Sequence, residues 1–345
     1  MKHIKIESKK LLNCLNRVKN AIPSKTGLPV LQYVRLEYYE NILIATVTNL
    51  DITIEEKIEC VTFESGTMIV PCNILISLLK KIKSCELILN NKDNVLEVVT
   101  LNGSYEIETT EVNEFPKCPI LSTKNEIVIT GDKFRDIVQK TLYACSNDDT
   151  RLTLKGVLWG NNVVATDGHK LSLIETEENF DEAIIPQEAF KYAIKLSKKS
   201  EKMGITTGHK FVLFNFDNTK IYSKLIDATY PPYKKVMPGA SLIHFEINKN
   251  ELIEAAERAL IFANNLTHGI TIELNNSIVH VITDKSNEEI ECAMKGITKF
   301  HINATYLIET LLKFDTDDVK IKCYKDKITI VEDKHICLVM FLRGR

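Results

Sequence analysis

One pattern constrains the fold of this chain more than any other: an alternating strand, a helix of about a dozen residues and then several strands recur three times. The copies start near Lys5-Ile6-Glu7, at Ile127 to Asp132 and at Ile243 to Asn248. A second helix in each copy follows a short apolar strand, and Pro71 and Pro186 are predicted to begin two of these helices. A period of about 120 residues is far longer than that of a solenoid. The pattern predicts an α+β fold of three similar domains, each with two helices and antiparallel sheets.

Two proline-rich stretches separate the copies. They are Phe115-Pro116-Lys117-Cys118-Pro119 and the segment from Tyr230 to Gly239. We therefore expect domains at residues 1–121, 122–240 and 241–345. Chance self-similarity of an ordinary α+β sequence is the alternative, and the repeated strand-then-proline start of the second helix argues against it.

Composition excludes several classes of protein. The chain is 44% hydrophobic and 26% charged, and it has no apolar run of about 18 residues that could span a bilayer. Its first residues, Met1 to Glu7, alternate like a strand and lack the apolar core of a signal peptide, which favours a cytoplasmic location. The nine cysteines have neither zinc-site nor disulfide-framework spacing, so we expect reduced cysteines, no metal site and no cofactor.

Charge is distributed unevenly over the predicted helices. A net charge of −2 argues against a nucleic-acid partner when the chain is taken as a whole. Two helices are nonetheless entirely basic, and their cations are Lys9, Lys10, Arg17, Lys19, Lys80, Lys81 and Lys83. The negative net charge of the whole chain therefore conceals helices that are basic.

The strongest basic pattern lies in the predicted helix at 187–202. Its lysines are spaced to share one helix face: Lys191, Lys195, Lys198, Lys199 and Lys202. A solvated face is the simpler interpretation of such a stripe. Together with the other basic helices, it favours a surface that follows a phosphate backbone, and no base-reading motif accompanies it. Any nucleic-acid binding should be independent of sequence.

A tight turn lies near the middle of the chain. Two apolar runs flank Asp167-Gly168, where a hairpin turn needs a positive φ angle. Asp167 and His169 could instead form an acid–base pair of a hydrolase. No candidate nucleophile or metal-ligand cluster accompanies them, so we expect no catalytic residues.

Four segments of the chain resemble the bacterial DNA polymerase III β subunits, the sliding clamps. They are Leu28 to Leu31, Ala165 to Leu171, Tyr230 to Pro238 and Val339 to Arg343. The resemblance implies the DNA clamp fold, in which two three-domain protomers join head to tail in a ring around duplex DNA. It also implies a non-catalytic processivity factor for DNA replication. Lys25 stands where this family tends to place an arginine that touches DNA.

The resemblance further implies a pocket in which the replicative polymerase, the clamp loader and repair proteins insert a short hydrophobic peptide. The matching pocket residues are Leu154, Thr166, Gly168, His169, Lys170, Leu171, Pro238, Val339, Met340, Leu342 and Arg343. A homodimer interface is implied between Ile261 and Phe262 of one protomer and Tyr105 and Ile107 of the other. Two alternatives remain open: a monomeric, sequence-independent nucleic-acid-binding protein that uses the 187–202 lysines, and the hydrolase.

Overall fold

The computed structural model of the protein describes residues 2–122, 125–237, 239, 243–293 and 296–343. Among these residues, the first repeat contains two α-helices and nine strands. They are β1 (Lys2–Glu7), α1 (Ser8–Val18), β2 (Tyr33–Tyr39), β3 (Ile42–Thr48), β4 (Ile52–Glu59), β5 (Val61–Thr62), β6 (Gly66–Pro71), α2 (Cys72–Lys81), β7 (Glu86–Lys92), β8 (Val95–Thr100) and β9 (Gly103–Glu108).

The second and third repeats follow the same order of elements. The second comprises β10 (Ile127–Thr130), α3 (Gly131–Leu142), β11 (Gly156–Trp159), β12 (Asn162–Thr166), β13 (Lys170–Glu175), β14 (Ala183–Pro186), α4 (Gln187–Leu196), β15 (Lys202–Thr207), β16 (Phe211–Phe216) and β17 (Thr219–Lys224). The third comprises β18 (Ile243–Asn248), α5 (Lys249–Leu260), β19 (Gly269–Asn275), β20 (Ile278–Thr283), β21 (Ser286–Glu291), β22 (Ile297–Asn303), α6 (Ala304–Leu311), β23 (Asp318–Cys323), β24 (Lys327–Glu332) and β25 (His335–Met340). Two helices per repeat are therefore observed.

The first helix of every repeat starts with the same backbone contact. The N–H groups of Ser8, Gly131 and Lys249 donate to carbonyl oxygens just before the strand that follows the repeat's second helix, at 2.9, 2.7 and 2.8 Å. The first N–H groups of a helix have no partner within it, so these carbonyls satisfy a donor that would otherwise be unpaired. The recurrence in sequence is thus also a recurrence in hydrogen bonding.

Residues 1–134 and 188–225 form one compact unit, and residues 135–187 and 226–345 form a second. The first unit contains a five-stranded sheet, β5-β1-β7-β8-β9, and an eight-stranded sheet, β10-β15-β16-β17-β4-β3-β2-β6. The second contains the eight-stranded sheet β14-β11-β12-β13-β25-β24-β23-β18 and the four-stranded sheet β21-β20-β19-β22. Each eight-stranded sheet therefore joins strands of two successive repeats.

The strands that join the repeats occupy equivalent positions. In the first unit, β4 of repeat one pairs with β17, the last strand of repeat two. In the second unit, β13 of repeat two pairs with β25, the last strand of repeat three. We call these two strand pairs the first and second junctions. Both are antiparallel and have the same register, since Tyr222 pairs with Thr53 where Leu338 pairs with Leu171.

The helix at 187–202 is shorter than predicted. It ends at Leu196, so the prediction that five lysines share one helix face is wrong. Lys198 and Lys199 lie beyond the helix, and Lys202 begins β15, where it pairs with Thr130 of β10. The Ser197 and Ser200 N–H groups turn the chain by donating to Ala193 and Ser197 carbonyls at 2.9 and 3.0 Å. Pro71 and Pro186 likewise end strands and precede the helices, rather than occupying their first turns.

All nine cysteines are among the described residues, no disulfide joins any two of them, and five are buried. Within the described ranges, no helix is both long and apolar enough to cross a membrane.

Candidate functional sites

The hairpin predicted at Asp167-Gly168 is confirmed. Gly168 has a φ of 93°, a conformation that L-residues rarely adopt. The Asp167 carboxylate accepts hydrogen bonds from the His169 and Lys170 N–H groups at 2.8 and 2.9 Å, and the Thr166 hydroxyl donates to the Lys170 carbonyl at 2.7 Å. Asp167 therefore shapes the turn through backbone contacts and is not paired with the His169 ring.

Side chains of α6 anchor the hairpin. The Lys170 ammonium lies 2.5 Å from a Glu309 carboxylate oxygen and 4.7 Å from the centroid of the Tyr306 ring. The His169 ring stacks on the same tyrosine with centroids 6.0 Å apart. Lys170 is only 6% exposed, because the ion pair and cation–π contact enclose it. It positions the hairpin and presents little surface to a ligand.

Alternation along β13 and β25 divides the predicted pocket residues between two faces of the sheet. Leu171, Leu338 and partly exposed Met340 belong to one apolar cluster. Val339 is 1% exposed and packs in the other, with the core of the third repeat. Lys170 pairs with Val339 in register and shares its face, because successive strand residues point to opposite sides. Val339 and Lys170 thus support the apolar face from behind and do not line it.

Partly exposed side chains lie over the apolar face, where Leu171 and Leu338 are each only 2% exposed. Tyr230, Tyr233 and Met237 pack against the Leu171 cluster, and the Tyr230 hydroxyl donates to the Val164 carbonyl at 3.3 Å. Burial raises the pKa of Tyr230, so the hydroxyl remains a donor. These residues fall within a segment that carried the family resemblance, but only the fold brings them to β13.

Arg151 is a feature of this region that sequence reasoning missed. It is exposed and donates to the Asp167 carbonyl at 3.4 Å, beside the turn. Its guanidinium also lies 3.6 Å from the Asp148 carboxylate, so Arg151 links the turn to the segment before β11. Its position 16 residues before Asp167 gave no signal in the sequence.

The remaining predicted pocket residues have varied environments. Leu154 is half-buried in a 3-10 turn before β11, and half-buried Leu342 donates its N–H to the His301 carbonyl at 2.8 Å. Arg343 is exposed. Pro238 lies outside the described residues.

A buried polar cluster lies behind the second junction. The His335 Nε2 atom is 3.0 Å from the Ser172 hydroxyl and 3.1 Å from the Cys337 sulfur, and the Tyr143 hydroxyl donates to that sulfur at 3.2 Å. Burial lowers the pKa of His335 to about 4 and raises that of Cys337 to about 12, so both groups are neutral near pH 7. His335 and Ser172 are almost fully enclosed, which makes this cluster a structural one.

The predicted DNA-binding cations fall into three environments. Several are exposed, namely Lys9, Lys25, Lys80, Lys81, Lys198 and Lys199. Lys191 and Lys195 are also exposed, but their ammonium groups contact Glu188 and Asn20 at 2.7 and 2.8 Å. Arg17 differs from all of these, since its guanidinium lies 2.9 Å from the Glu56 carboxylate and donates to Thr219 and the Leu196 carbonyl. Arg17 therefore holds the first junction together.

Three of the four predicted interface residues are exposed. Ile261, Phe262 and Tyr105 are 76%, 50% and 44% exposed. Ile107 is the exception, because it pairs with buried Leu96 and is itself 5% exposed. The Ile107 side chain belongs to the core, so the expectation that this side chain packs across an interface is wrong.

Comparison with known proteins places these features in a family. The family model for the N-terminal domain of the DNA polymerase III beta subunit matches residues 2–119, and that for the central domain matches residues 128–232. The beta sliding clamp of Staphylococcus epidermidis is 26% identical over 341 residues, which cover 91% of this chain and 90% of that protein. The beta sliding clamp of Chlamydia trachomatis is 23% identical over 317 residues, or 89% and 74% of the two chains.

Solved structures share the fold. The C. crescentus beta sliding clamp has a TM-score of 0.92 at 19% identity and covers 99% of this chain and 100% of its own. The DNA polymerase III subunit beta of Pseudomonas aeruginosa also has a TM-score of 0.92, at 23% identity and the same coverage.

The fold defines a DNA clamp. The chain belongs to the bacterial DNA polymerase III β subunit family, the sliding clamps of DNA replication.

Proposed function

We propose that two copies of this chain join head to tail in a ring around duplex DNA, and that the ring acts as a non-catalytic processivity factor. One observation carries the proposal. Each repeat has one strand equivalent to β4 and β13 and a last strand equivalent to β17 and β25. Of the three pairings that these strands allow between successive repeats of a ring, only two are made within a chain. The first and second junctions use β4 with β17 and β13 with β25. The strands left over are β9 and β21, both at sheet edges.

The register of the two junctions predicts that of a third. At the first, the Lys224 N–H donates to the Asp51 carbonyl at 2.8 Å; at the second, the Met340 N–H donates to the His169 carbonyl at the same distance. Lys224, Met340 and Glu108 are each the last residue of a six-residue strand. Unpaired edge strands are templates for pairing with another chain, so β9 of one protomer is suited to β21 of its partner.

Helix contacts between neighbouring repeats support the same interface. Asn20 lies two residues beyond α1, and its side chain accepts from Lys195; Tyr143 lies one residue beyond α3, and its hydroxyl donates to Thr310. Counted from the start of α5, the equivalent residue is Ile261, which is 76% exposed. An exposed isoleucine at a position that otherwise contacts a neighbouring repeat supports an interface there. Domains at 1–121, 122–240 and 241–345 follow as the units of this repetition.

The exposed lysines then supply weak, sequence-independent contact with phosphates. We assign this role to Lys9, Lys25, Lys80, Lys81, Lys191, Lys195, Lys198 and Lys199. Arg17 is left out, because its guanidinium is already engaged with Glu56. Such contacts permit sliding, since each is individually weak and screened by salt. A cytoplasmic location follows from the role in replication.

Tyr230, Tyr233, Met237 and Met340 are partly exposed over the buried Leu171 and Leu338. The apolar surface that these four side chains present is proposed to bind short hydrophobic peptides of the replicative polymerase, the clamp loader and repair proteins. Methionine and leucine adapt to several ligand shapes, which suits a pocket with many partners. Asp167 and His169 serve the turn and the Tyr306 contact, so the hydrolase alternative has no support from the geometry.

Retention on DNA tests the ring. The protein, loaded onto nicked circular DNA by a clamp loader, should elute with the circle in gel filtration and leave it after linearisation, because only a ring is held by topology. The dimer should also be seen by sedimentation at micromolar concentration. Equal loss from circular and linear DNA by a protein that remains monomeric would support the monomeric nucleic-acid-binding alternative instead.

A further inference from the structure

We infer that the third junction, between protomers, lacks the ion pairs of the two junctions within the chain, so that added salt strengthens the dimer. The inference rests on the proposed ring and concerns how its joint is held. It follows from comparing residues at equivalent positions of the three repeats.

The clearest difference is at the last residue of each final strand. At the first junction this residue is Lys224, whose ammonium lies 3.0 Å from the Asp51 carboxylate. Asp51 lies two residues before Thr53, which pairs with Thr48 across the hairpin.

The third repeat can be counted in the same way. Thr283 pairs with Ser286 across a hairpin that is two residues shorter than that of Thr48 and Thr53, and the residue two before Ser286 is Asp284. The equivalent of Lys224 in the first repeat is Glu108, the last residue of β9. The first junction therefore pairs a lysine with an aspartate where the third opposes two carboxylates.

An opposite-charge pair that involves a helix is also absent from the third junction. At the second junction Lys140, the tenth residue of α3, lies 2.8 Å from Asp315. The tenth residue of α5 is Arg258. Asp315 lies three residues before β23, and the residue three before β7 is Lys83. A lysine–aspartate pair is thus replaced by arginine opposite lysine.

A third pair loses one partner. Lys170, just before Leu171, is held by Glu309, the sixth residue of α6. The equivalent residues are Lys285, just before Ser286, and Ser77, the sixth residue of α2. Ser77 provides no carboxylate to replace that of Glu309 beside Lys285.

Arg258 and the remaining charges of the β21 edge do not restore complementarity. Arg258 lies 2.7 Å from Glu288 of the same protomer, so the Arg258 charge is already paired. Glu289 and Glu291 of β21 and Glu106 of β9 add further acids to the two edges. Like charges directly opposite each other on paired strands are destabilising.

Strand hydrogen bonds and exposed apolar side chains are what remain to hold the third junction. The apolar side chains are Ile74, Tyr105, Ile261 and Phe262. Salt screens exposed charges at distances beyond about 10 Å at 0.1 M and weakens the remaining repulsion. Dimer dissociation should therefore fall as NaCl rises from about 0.05 to 0.5 M, opposite to an interface held by ion pairs.

Charge reversal gives the sharpest test. Glu108→Lys restores the arrangement of Lys224 and Asp51, and Asp284→Lys restores an opposite-charge pair in the other direction. Each should lower the dimer dissociation constant about tenfold, because a surface pair changes affinity a few-fold and a head-to-tail dimer contains two copies of the joint. The double variant opposes two lysines, so it should return to the wild-type constant. Sedimentation velocity over a concentration series measures all three.

The control is Asp93→Lys, the same charge reversal in an exposed turn of the same sheet, which should leave the dissociation constant unchanged. Tightening by the control as well would show that net charge, and not the joint, is responsible. A dimer that loosens with salt and is indifferent to Glu108→Lys would overturn this inference while leaving the ring intact. A protein that is monomeric under every condition would overturn the ring itself.

Discussion

The two junctions within the chain share one register and differ in chemistry. At the first, Lys220 pairs with Glu55; at the equivalent pair of the second, Ile336 stands opposite Leu173. Lys224 at the end of the first corresponds to Met340 at the end of the second. The backbone scaffold is thus the same at both, and an apolar face suited to peptides exists only where the polar pairs have been replaced.

The opposite faces of the two junctions also differ. Behind the first lies the ion pair of Arg17 and Glu56, and behind the second the uncharged cluster around His335 lies on the same face as the Lys170–Glu309 ion pair. The Arg17–Glu56 pair and the His335 cluster respond differently to pH and to loss of a partner. Three experiments use this difference, from the largest expected effect to the smallest.

Acid should weaken the second junction selectively. The pKa of His335 is about 4 in the folded protein against an ordinary 6.5, so the unfolded state binds a proton first as pH falls. Its stabilising contribution is complete above pH 6.5 and is lost between pH 6.5 and about 4, amounting to about 3 kcal/mol. Trp159, the only tryptophan, lies in the second unit, so urea unfolding followed by its fluorescence reports on that unit.

The matched variant is His335→Gln, which cannot titrate. Its unfolding midpoint should depend less on pH over this interval than that of the wild type. Identical pH profiles for the two proteins would mean that His335 is protonated equally in folded and unfolded states.

Removing the ion pair behind the first junction should have the next largest effect. Arg17→Ala leaves the nearly buried Glu56 carboxylate without its cation and should cost about 2 kcal/mol, a value reduced from that of a buried pair because Arg17 is one-third exposed. Hydrogen exchange should show faster opening of β4 and β17.

The control is Lys9→Ala, an exposed cation on the same helix. It should leave exchange unchanged and lower the salt dependence of DNA binding, whereas Arg17→Ala should leave the salt slope per folded molecule unchanged. If Arg17→Ala lowered the salt slope of DNA binding and Lys9→Ala did not, Arg17 would be a DNA-contacting residue after all.

Met340→Asp should reduce the affinity for a short hydrophobic peptide about tenfold, because it places a charge on the apolar face. Lys224→Asp is the matched change at the equivalent position of the first junction and should not alter peptide binding. Fluorescence anisotropy with a labelled peptide from a polymerase C-terminus measures both. Equal losses in the two variants would argue against a pocket confined to the second junction.

Local sequence predicts part of the fold. The hairpin at Gly168 follows from the Asp-Gly pair between apolar runs, because a positive φ angle is a local requirement. The order of helices and strands follows from hydrophobic periodicity, since each element must bury one face. The end of α4 at Leu196 was not predictable in this way, because pairing of Lys202 with β10 decides it.

The sequence by itself determined the three repeats, the turn and the identity of the apolar residues, all of which depend on neighbours along the chain. Tertiary structure alone decided which side of the sheet each residue faces. Pairing of Lys170 with Val339 turns both away from Leu171 and Met340, and a shift of one residue would have reversed every assignment. Tertiary structure likewise placed Arg17 beside Glu56, 39 positions away, because only the packing of α1 on β4 brings those two charges together.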